Sequence, residues 1–116
     1  MTLTLGMITF DSADPSPLAR WWSEQVDGSI VEENDGWFYV VALGSAPHRL
    51  GFQKVADPTP GKNRVHLDMT SENLDDEVSR LVESGAIEVE QYTVGNFRWV
   101  TLSDPDGNLF CVSGAH

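Results

Sequence analysis

The feature that most constrains this chain is that its pattern is written twice. Sliding the sequence by 59 residues lays Met7 on His66, Asp14 on Asn73, Trp22 on Leu81 and Leu43 on Leu102. Identity between the halves is low, yet each half reads as a strand, a helix and three further strands in the same order. One helix per half can cover one face of a four-stranded sheet, which leaves the other face to curl around something else. The expectation is a single α+β domain over residues 1–116, built from two tandem βαβββ modules at about 1–56 and 63–116. Their curled mixed sheets should enclose a cleft, with the helices on the outside.

In the first module, residues 2–10 alternate as a strand with Leu3, Leu5, Met7 and Thr9 on one face. Asp14-Pro15 then opens a helix, with Asp14 as N-cap and Pro15 at the first helical position. Leu18, Ala19, Trp22 and Val26 form its apolar stripe, and Gly28 is expected to end it in a left-handed conformation. Strands follow at about 29–33, 37–43 and 49–55, the first two joined by the hairpin signal Asn34-Asp35-Gly36. The third of these is expected to be an exposed edge strand. The second module repeats the order: a strand at 64–70, then a helix with Leu74, Val78, Leu81 and Val82 on one stripe, ended by Gly85. Its last strands fall at about 86–92, 97–103 and 109–113, with Asp104-Pro105-Asp106-Gly107-Asn108 as the tight turn before the last.

The strand at 64–70 carries the chemistry. Alternation puts Arg64, His66 and Asp68 on one face and Val65, Leu67 and Met69 on the other. The apolar face wants a helix; the polar face places an imidazole and a carboxylate where a ligand or metal can meet them. A net charge of −11 argues against nucleic acid and anionic membrane as partners, and is compatible with a cationic ligand or with solubility alone. No apolar run approaches the ~20 residues needed to span a bilayer, and the N-terminus does not read as a signal peptide. One cysteine, Cys111, rules out an internal disulfide and fits a reducing cytoplasm.

Three motifs, Asp14-Pro15, Arg64-Val65-His66-Leu67-Asp68 and Asp104-Pro105-Asp106-Gly107-Asn108-Leu109-Phe110, occur in an order that resembles the vicinal oxygen chelate superfamily. That superfamily includes glyoxalase I, extradiol dioxygenases and bleomycin-resistance proteins, and the likeness covers nearly the whole chain. It implies a metal position on each of the first, fourth, fifth and eighth strands, here Met7, Gln53, His66 and Cys111. Only His66 among these is an ordinary ligand for the ions such sites hold, since Met7 is a soft thioether and Gln53 a neutral oxygen donor. The missing eighth-strand carboxylate argues against classical glyoxalase chemistry. The expectation is therefore no cofactor, with His66, Gln53 and Cys111 as the donors should a divalent metal bind.

Each candidate has a structural alternative. His66 and Asp68, with side chains running roughly parallel from one strand, could act as an acid–base pair, or simply line a solvated cleft and satisfy Arg64 or backbone groups. Trp22 belongs to the helix stripe, whereas Trp37 and Trp99 sit on corresponding strands and either stack on a ligand or pack in the core. Cys111 reads as a small buried hydrophobe on the cleft floor, with no second histidine at an obvious partner position. The expected contact set is Met7, Thr9, Trp37, Gln53, Arg64, His66, Asp68, Trp99 and Cys111. Three functions remain open: metal-independent binding of a cationic or aromatic small molecule; a superfamily lyase, isomerase or dioxygenase using a metal near His66; and a module acting by association. A homodimer is expected under all three.

Overall fold

The computed structural model describes residues 5–60 and 66–114, and in it both halves fold as the repeat demands. The chain divides into two units, Met1–Thr59 and Pro60–His116. Unit 1 runs β1 (Met7–Ser12), α1 (Pro15–Gln25), β2 (Ser29–Glu32), β3 (Phe38–Ala42) and β4 (Arg49–Lys54). Unit 2 runs β5 (Leu67–Ser71), α2 (Leu74–Glu83), β6 (Ile87–Val94), β7 (Phe97–Ser103) and β8 (Leu109–Gly114). Each forms a four-stranded mixed sheet, ordered β1-β4-β3-β2 and β5-β8-β7-β6. The first strand of each unit lies parallel to its last, and the remaining pairs are antiparallel. Among the described residues no helix is long and apolar enough to cross a membrane.

That parallel return corrects one expectation. Arg49–Lys54 is an interior strand, because β1 comes back to pair along its outer side. The first strand also starts later than the alternation suggests, at Met7, and Leu5 is exposed. Leu3 lies outside the described residues.

The core of unit 1 sits between α1 and its sheet. Phe10 stacks on Phe52 at 5.0 Å and tilts against Trp22 at 5.7 Å. Alternation therefore gives Ile8, Phe10 and Ser12 to the helix side and Met7, Thr9 and Asp11 to the other. Leu18, Ala19 and Trp22 are buried as the stripe predicts, and Trp21 joins them, edge-on to Trp22. Removing side chains such as Leu18 and Phe52 from water stabilises the fold by roughly 1.5–3 kcal/mol each. In α2 the buried stripe is Val78 and Leu81, while Val82 is exposed.

Both helices start with the same device. The hydroxyls of Ser12 and Ser71 accept the backbone N–H two residues on, from Asp14 and Asn73. Asn73 also caps α2, accepting from the Asp76 N–H at 3.3 Å and donating to its carboxylate at 2.8 Å. Asp14 makes no such side-chain cap, and Pro15 leaves one fewer N–H to satisfy.

The helix exits differ. Gly85 takes the left-handed conformation (φ 114°) as expected, but at the end of α1 it is Asp27 that does so (φ 50°). Gly28 is needed for space: a Cβ there would stand 2.5 Å from the Ala42 carbonyl oxygen and 2.9 Å from Val41 Cγ1. Before β8, the buried Asp104 carboxylate accepts from the backbone N–H of Asp106 and Asn108, and from the Asn108 side chain on both oxygens.

Because the nearest atom facing Gly28 is backbone, Gly28→Ala must push β3 away from the turn that follows α1. We expect a loss of about 1–3 kcal/mol, seen in urea titration as a lower midpoint at unchanged slope. An unchanged midpoint would show that the contact yields freely.

Candidate functional site: a cavity on the open face of unit 2

Which side chains can meet a ligand in unit 2 follows from what α2 already covers. Arg98 pairs with Asp75 of α2, and Val100, Leu102, Phe110 and Val112 are buried at the same alternation. Phe97, Trp99 and Thr101 of β7, with Cys111 and Ser113 of β8, therefore project from the opposite face.

Register completes two rows across that face. One runs Asp68–Cys111–Thr101–Glu90 and the next Thr70–Ser113–Trp99–Tyr92. Tyr92 and Glu90 reach the face only through an irregularity in β6. Glu88 pairs with Leu102 and Glu90 with Thr101, so Val89 is the extra residue of a β-bulge. Without it, alternation from Glu88 would turn Glu90 and Tyr92 toward α2. Unit 1 carries the corresponding bulge between Ile30 and Glu32.

The face holds a cavity of about 750 Å³ with two chemically distinct walls. On the β6–β7 side, Tyr92 stacks on Trp99 with centroids 5.0 Å apart and planes 14° from parallel. Phe97 tilts against the same indole at 5.5 Å. On the β5–β8 side, His66 Nε2 lies 3.1 Å from Asp68 Oδ1, and Cys111 Sγ lies 3.3 Å from Thr101 Oγ1. An imidazole nitrogen, an Asp68 oxygen and Cys111 Sγ all lie within 4.8 Å of one another. The Tyr92 hydroxyl donates to Glu90 Oε2 at 2.8 Å. That bond holds the Tyr92 phenol above its ordinary pKa, helped by desolvation and then by the charges of Glu90 and Cys111.

The expected contact residues fall into two groups. His66, Asp68, Trp99 and Cys111 all line this cavity. His66 and Asp68, neighbours on one strand, bond to each other. Cys111 is half-buried with its thiol toward the cavity, where a buried apolar side chain was expected. Met7, Thr9, Gln53 and Trp37 belong to unit 1. Trp37 is 62% exposed, with Lys54 Nζ over its ring at 5.1 Å. It precedes β3 and shares the alternation of Tyr39, on the helix side. Arg64 lies outside the described residues. Tyr92, Phe97, Glu90 and Thr101 were missed. Phe97 and Thr101 follow from Trp99 by alternation, whereas Tyr92 and Glu90 depend on the bulge.

Of the superfamily's four metal positions, only His66 and Cys111 carry donors suited to a zinc-type ion. In register Thr9 lies opposite Gly51 as Asp68 lies opposite Cys111, so the counterpart of Cys111 in the first module is Gly51, with no donor. Gln53 lies opposite Asp11, one step further along the same face. Met7 offers a thioether in close contact with the space above Gly51. His66, Asp68 and Cys111 are a group of zinc-type chemistry, in which His66 bonds to Asp68 and Cys111 to Thr101, and the first two side chains are 48% and 74% exposed.

Two βαβββ units, each a four-stranded mixed sheet with a helix on one face, are the architecture of the vicinal oxygen chelate superfamily. The sequence model of the glyoxalase-like domain matches residues 7–113, and the chain belongs to that family. No curated protein matches it in sequence. Among solved structures it is similar to a glyoxalase/bleomycin resistance protein/dioxygenase family enzyme from Burkholderia phytofirmans PsJN, with TM-score 0.81 and 16% identity over 98% of this chain and 100% of that one. It is also similar to TnmS3, an antibiotic binding protein from Streptomyces sp. CB03234 (TM-score 0.74, 20% identity, 100% and 99% covered). A third is the fosfomycin resistance protein FosX from Listeria monocytogenes (TM-score 0.80, 12% identity, 100% and 96% covered). At these identities the likeness is one of fold.

The Tyr92–Glu90 bond has a direct readout. Ionising the phenol removes its proton from that bond and brings a second negative charge beside the carboxylate. In alkaline titration by ultraviolet absorbance, Glu90→Gln should therefore bring Tyr92 back down toward the ordinary phenol value of about 10. A titration identical to wild type would show that Glu90 does not hold the phenol.

Proposed function

We propose that this protein binds a small molecule reversibly, in the cavity on the open face of unit 2, without a metal ion. One observation carries the reading: a single cavity combines the Tyr92–Trp99–Phe97 wall with the carboxylates of Asp68 and Glu90. A planar aromatic ligand stacks on the first, and positive charge on it is attracted by the second. The net charge of −11 favours such a ligand at long range. The fold's likeness to an antibiotic binding protein and to a fosfomycin resistance protein supports small-molecule binding as its use.

The test is a panel of planar cationic and neutral aromatic compounds, read by tryptophan emission and thermal shift. Cationic members should bind saturably, and Trp99→Ala should weaken them about tenfold, the loss of roughly 1.4 kcal/mol of stacking. Charge-indifferent binding, or binding that Trp99→Ala leaves intact, would overturn the proposal. Metal independence is tested separately by equilibrium dialysis. Stoichiometric uptake of a divalent ion that His66→Ala abolishes would favour a superfamily lyase, isomerase or dioxygenase instead. Pairing with a second copy is also proposed, on the exposed edge strand β6, where Ile87, Val89 and Val94 face solvent. Residence in a reducing compartment, the cytoplasm, suits a chain with one free thiol.

A further inference from the structure

We propose that Cys111 is a nucleophile that captures electrophilic ligands of the α,β-unsaturated carbonyl class as covalent thioethers, with His66 as its base and Asp68 as a positioning residue. The inference rests on the binding cavity just described and adds a chemical step to it. Three observations converge. The only thiol of the chain faces the cavity and is half-buried, which leaves it reachable. An imidazole nitrogen and a carboxylate oxygen stand within 4.8 Å of it and of each other. The aromatic wall lies one row away on the same sheet face, so a planar conjugated ligand stacked on Trp99 lies alongside the sulfur.

The geometry assigns the roles. His66 Nε2 is 3.1 Å from Asp68 Oδ1, so Nε2–H donates to the carboxylate and Nδ1 keeps the lone pair. These are the nucleophile, base and orienting group of covalent catalysis, and the thiol proton reaches the ring directly or through one water. Nδ1 takes the thiol proton as the sulfur lone pair forms a bond to the β-carbon. The π pair of the double bond moves toward the carbonyl, giving an enolate. The proton held on His66 then returns to the α-carbon. The sum is addition of S–H across C=C, with no oxidant, reductant or co-reactant. The Thr101 hydroxyl, 3.3 Å from Sγ, is placed to donate to the sulfur while it carries negative charge. A thioether is stable, so each chain acts once and the outcome is sequestration.

The probe is phenyl vinyl ketone, a small planar aryl enone, followed by intact mass, with N-acetylcysteine as reference thiol. Labelling should add one probe mass, saturate with concentration, and at saturation exceed the reference thiol's rate at the same probe concentration by about 100-fold. Cys111→Ser should abolish it. His66→Gln should lower the limiting rate about 100-fold at unchanged half-saturation, whereas Trp99→Ala should raise half-saturation at unchanged limiting rate. Asp68→Asn should lower the limiting rate and Asp68→Glu restore it, a split that a merely structural role would not produce. Non-saturable labelling at the reference rate, or a limiting rate that His66→Gln leaves alone, overturns the inference. In that event, reversible binding of the aromatic panel still intact would leave the binding function standing, and its loss would remove both.

Discussion

The arrangement of unit 2 depends on one pairing, the parallel alignment of β5 with β8. It sets Asp68 opposite Cys111, although they are 43 residues apart (111 − 68) in the chain. Parallel strands cannot be joined by a tight turn, so the connection must travel, and here α2, β6 and β7 lie within it. A slip of one residue would present Phe110 and Val112 to the cavity and turn Cys111 toward α2. The turn before β8 resists that slip. Asp104 gathers the N–H groups of Asp106 and Asn108 onto one buried carboxylate, so β8 departs from β7 with a fixed phase.

This pairing explains which parts were legible beforehand. The element order, the helix starts and the tight turn are local patterns, read from periodicity and turn chemistry over a few residues. His66, Asp68, Trp99 and Cys111 could also be named, since each sits at a definite phase of its own strand. Their relation to one another could not, because it depends on which strand lies beside which. The misplacement of Arg49–Lys54 at an edge is the same failure: nothing within that strand says that β1 returns to its outer side. Tyr92 was hidden for a different reason. A bulge has no reliable local signature, and one unpaired residue at Val89 reverses the face of all that follows in β6. Gly28 shows a third kind of limit. Its role is clearance from the Ala42 carbonyl, a contact between segments that only the folded chain brings together.

Polar side chains crowd this sheet face of unit 2, and several find partners in one another. His66 bonds to Asp68, Cys111 meets Thr101, and Tyr92 bonds to Glu90. Among the described residues no buried side-chain polar atom is left without a partner. The first and last of these bonds lie at exposed residues, where water competes and each contributes little to stability. They orient the side chains more than they hold the fold. A ligand entering the cavity can therefore displace or borrow them at small cost.

The repeat itself offers the sharpest comparison, because both units build the same frame and furnish it differently. By register, Met7, Thr9, Gly51, Val40 and Phe38 in unit 1 occupy the places of His66, Asp68, Cys111, Thr101 and Trp99 in unit 2. In the first set the glycine lets its neighbours close in. A Cβ at Gly51 would stand 2.6 Å from Met7 Sδ and 2.9 Å from Phe38 Cζ, so the space a side chain would use is already filled. In the second set that position carries a sulfur, beside an imidazole instead of a thioether, a carboxylate instead of a hydroxyl, and a hydroxyl instead of an isopropyl group. The same register thus holds a glycine hemmed in by its neighbours in one copy and a sulfur with an imidazole and a carboxylate near it in the other. The backbone cannot account for that difference, since the strand order, bulge and helix start are common to both. It resides in the side chains at those five positions.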